Sequence, residues 1–120
     1  MSYDIYLFRK EVKEQNEGLE FLEDESLFIK FTEEQFEYLK KRLINYGFQI
    51  LHEQADSIQY NFKGEELGIL ALLTEAQLSF SSVLSSDAVF EISMTASEFT
   101  DTGEFAVLNP QEGTWEVMDE

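Results

Sequence analysis

The chain has 120 residues, enough for one domain that buries roughly two-thirds of the surface its unfolded form exposes. Hydrophobic residues make up 43%, which argues against disorder, and the absence of cysteine excludes disulfides, zinc-thiolate sites, thiol nucleophiles and iron–sulfur ligation. The net charge is −17 and unevenly spread: residues 1 to 63 carry 13 acids and all eight bases, whereas residues 64 to 120 carry 12 acids and no Lys or Arg. A one-signed acidic surface repels phosphate backbones and anionic lipid, so nucleic acid and membrane are excluded as partners, and a basic protein is the complementary one.

In chain order, SYDIYLF alternates, with Tyr3, Ile5 and Leu7 on one face and Asp4, Tyr6 and Phe8 on the other. Both faces carry apolar groups, so this first strand is expected at the centre of a sheet. Arg9 to Gly18 is charged and reads as an exposed connection. Leu19 to Phe31 combines apolar residues with the acidic run Glu23, Asp24 and Glu25, and fits a short helix, a strand or a packed loop equally.

A helix is expected over 33 to 46. Thr32 and Gln35 have the spacing of a capping box, Phe31 and Phe36 that of a hydrophobic staple, and Glu33 and Glu34 occupy the electropositive first turn. Phe36, Leu39, Leu43 and Tyr46 form its apolar stripe, and Gly47 suits its left-handed end. FQILHE, SIQYNF, LGILALL and QLSFSSV then read as an antiparallel meander, with Ile69 to Leu73 central. For residues 86 to 99, helical spacing of Val89, Ile92, Ala96 and Phe99 competes with strand-like alternation of Phe90, Ile92, Met94 and Ala96; the stop offered by the following Asp101 to Gly103 favours the helix. FAVL and TWEV flank Pro110 and Gly113 in a terminal hairpin. The expected fold is α+β, a mainly antiparallel sheet with two helices packed on one face, in a single domain spanning 1 to 120.

Chemical signatures are sparse. Asp101, Thr102 and Gly103 spell the tripeptide of aspartic proteases, but only 17 residues follow Gly103, too few for a flap and the remaining core, and Glu104 would oppose the shared ionisation of such a dyad. The tripeptide reads instead as a helix-to-strand turn. His52, the one histidine, falls by alternation on the face of Phe48 and Ile50, and catalysis through it would need an orienting carboxylate. The carboxylate clusters Glu23 to Glu25, Glu65 with Glu66, and Asp119 with Glu120 lack the spacing of a calcium loop and read as solvated faces. No catalytic residue, cofactor site or metal site is assigned. Of the 17 aromatic rings, Tyr3, Tyr6, Tyr38, Tyr60 and Trp115 are the candidates for exposed anchors.

The opening MSYDIYLFRK resembles the start of small bacterial proteins of uncharacterised function that begin Met-Ser-Tyr-Asp, then an apolar residue and Tyr, with a looser echo in NPQEGTW. In composition and expected architecture the chain is also similar to toxin-immunity proteins, which are acidic and neutralise basic nuclease domains. That likeness implies a non-enzymatic binding protein that docks a basic partner. An opening without a basic stretch and apolar core, in a sequence with no apolar run of membrane-spanning length, gives a cytoplasmic expectation. The candidate contact residues are Glu65, Glu66, Asp101, Glu104, Glu112, Trp115 and Glu116. A small hydrolase or ligand-binding protein using His52 with a carboxylate, and a self-associating structural domain or homodimer, are the competing expectations.

Overall fold

The computed structural model describes residues 2–16, 20–62, 68–83, 86–100, 103–111 and 113–115. Among these, seven strands form one sheet: β1 (Ser2–Arg9), β2 (Phe48–Glu53), β3 (Ser57–Phe62), β4 (Leu70–Thr74), β5 (Leu78–Val83), β6 (Phe105–Asn109) and β7 (Thr114–Trp115). Their order is β2-β3-β4-β5-β1-β6-β7 and every pairing is antiparallel. The fold is therefore α+β. The meander runs from the β2 edge inwards, and β1 lies between β5 and β6, as its two apolar faces require.

Helices α2 (Glu33–Tyr46) and α3 (Ser86–Glu98) pack on one face, here called the inner face. At the start of α2 the Gln35 backbone N–H donates to Thr32 Oγ1 at 3.0 Å, and the Thr32 N–H donates to Gln35 Oε1 at 2.9 Å. The capping box thus satisfies two of the donors that a helix start leaves unpaired. At the other end Gly47 has φ of 120°, and a Cβ there would meet the Phe62 ring at 3.2 Å, so glycine answers both conformation and space. Leu39 and Leu43 of α2 and Ala88, Ile92 and Ala96 of α3 close over Ile5, Leu7, Tyr60 and Phe80 of the sheet. Arg42 joins the helices by donating to the Glu98 carboxylate at 3.0 Å and to the Glu98 carbonyl at 3.2 Å.

The outer face is built differently at its two ends. Arg9 to Gly18, expected as an exposed connection, instead contains helix α1 (Lys10–Gln15), whose Val12 is fully buried. Two short 3-10 turns follow, Glu20–Glu23 and Glu25–Leu27. Together they cover the β1-β6-β7 end with a second core of Phe8, Val12, Phe21 and Leu108, edged by Phe28 and Trp115. Phe8 meets Phe21 at 5.3 Å and Phe28 at 5.1 Å edge-on, and Trp115 stacks on Phe21 at 5.6 Å. The strap is pinned where Arg9 Nη1 donates to the Lys30 carbonyl at 3.0 Å and the Phe31 N–H donates to the Glu75 carbonyl at 2.8 Å.

The β2–β5 end of the outer face has no such strap among the described residues. Strand register directs outward Gln49, Leu51 and His52 on β2, Ser57, Gln59 and Asn61 on β3, Leu70, Leu72 and Thr74 on β4, and Ser79 and Ser81 on β5. His52 joins this set because β2 is bulged: Ile50 pairs with Tyr60 but His52 pairs with Gln59, leaving Leu51 as the extra residue. The expectation that His52 shares the face of Phe48 and Ile50 is therefore corrected, since one inserted residue inverts the alternation beyond it.

Candidate functional site

Helix α3 carries the feature most unlike the rest of the surface. Its core side is small and apolar, with Ala88, Ile92, Thr95 and Ala96 buried, and Phe99 buried just beyond it. Successive residues turn by about 100°, which places Phe90 and Met94 on the side opposite Ile92. Phe90 is 66% exposed and Met94 44% exposed. Of the 17 rings, Phe90 is the one exposed, whereas Tyr60, a candidate anchor in the sequence, is buried, and Tyr3, Tyr6, Tyr38 and Trp115 are half-buried. The signal was present in the heptad-like stripe Val89, Ile92, Ala96 and Phe99, which leaves Phe90 and Met94 facing away from the sheet.

Acids flank this pair. Asp87 lies in the first turn of α3, and Glu91 and Glu98 follow on the side towards α2. The helix contains no Lys or Arg, and the neighbouring Arg42 is held by Glu98 and lies against the Phe99 ring at 5.8 Å. Burial raises the Tyr46 hydroxyl above its ordinary pKa, with Thr95 opposing and the Glu91 carboxylate adding to the shift. Tyr46 thus stays a neutral donor beside Glu91 throughout the physiological range.

Of the candidate contact residues, Glu104 and Trp115 are described; Glu65, Glu66, Asp101, Glu112 and Glu116 lie outside the described residues. Glu104 sits by the start of α2 on the inner side, where Gln35 Nε2 donates to its Oε1 at 2.8 Å and its carbonyl accepts from the Lys10 N–H at 3.0 Å. Trp115 belongs to the outer face, where its ring stacks on Phe21 and its Nε1–H donates to the Asn16 carbonyl at 2.9 Å. The sheet separates the two residues, and Trp115 spends both its ring face and its donor inside the fold. Of the tripeptide Asp101 to Gly103, the described Gly103 has φ of 75° and its N–H donates to the Thr100 carbonyl, the geometry of a turn between α3 and β6.

His52 stands exposed on the edge strand, and its Nε2 meets the Gln54 amide at 3.2 Å. An amide does not act as the charged orienting group that a catalytic imidazole uses. Among the described residues no three or more His, Asp or Glu side chains converge as metal ligands would. No helix among them is long and apolar enough to cross a membrane. Comparisons with protein-family models, curated proteins and solved structures find no match for this chain.

Proposed function

We propose that this protein is a non-enzymatic binding module that docks a basic partner protein through the outer side of α3. The observation that supports the reading is Phe90, a large apolar ring standing in solvent beside Asp87 and Glu91 in a half of the chain that contains no Lys or Arg. An exposed aromatic within a charged rim is the composition of an interface hot spot: the acids steer the encounter, and the ring supplies affinity once it enters an apolar pocket on the partner. Toxin neutralisation by occupation of a basic nucleic-acid groove is the most concrete form of this function. The hydrolase alternative gains no supporting geometry from His52.

The test is capture of the partner from lysate of the source cell, followed by titration of the purified pair at several salt concentrations. Affinity is expected to fall at least about 10-fold between low salt and salt that screens surface charge. Phe90→Ala is expected to weaken the complex by at least about 10-fold while leaving the fold intact. A complex indifferent to both salt and Phe90 would refute this reading.

A further inference from the structure

Where the strap ends it runs beside two hairpin turns of the sheet, and the three segments enclose a cleft of about 500 Å³. The turn between β2 and β3 is closed by the Gln54 N–H, which donates to the Ser57 carbonyl at 2.8 Å. The turn between β4 and β5 is closed in the same way, the Thr74 N–H donating to the Gln77 carbonyl at 2.8 Å. Pairing of Ser57 with Thr74 sets the two turns side by side. The strap is tied to the second turn by the Phe31 N–H, which donates to the Glu75 carbonyl at 2.8 Å. Thr74 Oγ1 fastens that turn further by accepting from the Gln77 N–H at 3.2 Å. Backbone hydrogen bonds thus fix the walls, and the volume falls within the roughly 300 to 1,000 Å³ of small-molecule sites.

The lining divides by chemistry. Phe28 and Leu72, both half-buried, make its apolar part, and Phe28 is held edge-on to Phe8 at 5.1 Å by the second core. The charged residues are Lys30, Glu75 and Asp56. Lys30 Nζ and Glu75 Oε1 are paired at 3.0 Å and cancel. Asp56 is exposed and has neither an ion pair nor a side-chain hydrogen bond among the described residues. The geometry points to a binding site for a small organic cation, a primary amine on an apolar chain, with the ammonium at Asp56 and the chain on Phe28 and Leu72. The sign of the charge decides between ligand classes. With Lys30 and Glu75 paired, the cleft keeps a net negative charge from Asp56. A carboxylate or phosphate ligand would have to take Lys30 from Glu75 in the field of a molecule of charge −17. A neutral apolar ligand would cover Phe28 and Leu72 but make no use of the carboxylate. An ammonium adds a charge-assisted hydrogen bond to the same apolar contact. Neither Phe90 nor His52 lines the cleft, which leaves the site independent of both the docking reading and the histidine.

The probe is hexylamine, titrated as its hydrochloride into the isotope-labelled full chain and followed by amide chemical shifts, with hexanol, hexanoate and sodium chloride as controls. Saturable shifts are expected at Phe28, Ser57, Leu72, Thr74 and Gln77, with a Kd on the order of 1 mM, which suits so small a probe. Hexanol and hexanoate are expected to bind at least about 10-fold more weakly. Asp56→Asn keeps a turn-forming residue and is expected to weaken hexylamine at least about 10-fold while leaving hexanol unchanged. Gln77→Lys, which sets a like charge at the cleft, is the second variant and should lose the amine as well. Shifts that never saturate, that centre on α3, or that sodium chloride reproduces would mean cations gathering on an acidic surface and would overturn the site. Hexanol binding as tightly as hexylamine, or wild-type affinity in both variants, would overturn it equally.

Discussion

The two ends of the outer sheet face solve the same problem with different means. At the β1-β6-β7 end, residues 20 to 29 bring Phe21 and Phe28 down on Phe8, and Trp115 closes the layer from β7. At the β2–β5 end the same sheet presents Leu51, Leu70 and Leu72 without a covering segment among the described residues. The covered end uses rings, which bury large areas and interlock edge to face. The bare end uses aliphatic side chains of modest size beside Ser, Gln and Asn, which are tolerable in water and still apolar enough to be worth covering. A sheet face is thus divided between an end that the chain covers itself and an end with no covering segment among the described residues.

The sharpest way to break the comparison is Phe21→Ala. Phe21 is 2% exposed and touches Phe8, Phe28 and Trp115, so its loss opens a cavity that the strap cannot close. A loss of about 3 to 5 kcal/mol is expected in denaturant unfolding, and a cost below about 1 kcal/mol would mean that the strap contributes little.

A smaller effect of opposite sign is expected behind the bare end. Tyr60 is 1% exposed on the inner face, and its hydroxyl lacks a hydrogen-bond partner. Tyr60→Phe removes that unsatisfied group and should stabilise the fold by about 1 kcal/mol. Burial, with help from Glu53 and Glu37, pushes the Tyr60 hydroxyl up to about 12. A folded-state pKa above the unfolded value near 10 gives stability that is complete below pH 10 and is lost as pH rises from 10 towards 12. Burial raises Tyr6 and Tyr46 as well, so Tyr60→Phe should make the alkaline decline shallower without abolishing it. An unchanged alkaline limb in pH-dependent unfolding would remove Tyr60 from this account.

The smallest change belongs to the bare end itself. Leu70→Thr puts a strand-favouring β-branched side chain on β4 and exchanges a half-exposed apolar group for a polar one. It is expected to cost about 0.5 kcal/mol or less in denaturant unfolding. A cost comparable with that of Phe21→Ala would mean that Leu70 is core, and the distinction between the two ends would fall.

Much of the fold was legible in the residues because the signals are local. Thr32, Gln35 and Gly47 bound α2 by hydrogen bonds and backbone conformation that reach only a few residues, and the structure places them as the spacing implied. Alternation in β1 and the apolar run of β4 announced central strands, and Gly113, with φ of 71°, closes the last hairpin as its position suggested. The stripe of α3 likewise contained the outward direction of Phe90. What tertiary structure alone decided is long-range. The strap from 20 to 29 has no periodicity of its own and takes its shape from the rings it covers. The bulge at Leu51 is visible only against β3, and it carries His52 to the other face. Glu104 and Trp115, 11 residues apart, end on opposite sides of the sheet through strand pairing and helix packing. Periodicity reports which side of an element is apolar, whereas the choice of neighbour depends on contacts between residues far apart in sequence, and those contacts exist only once the sheet has assembled.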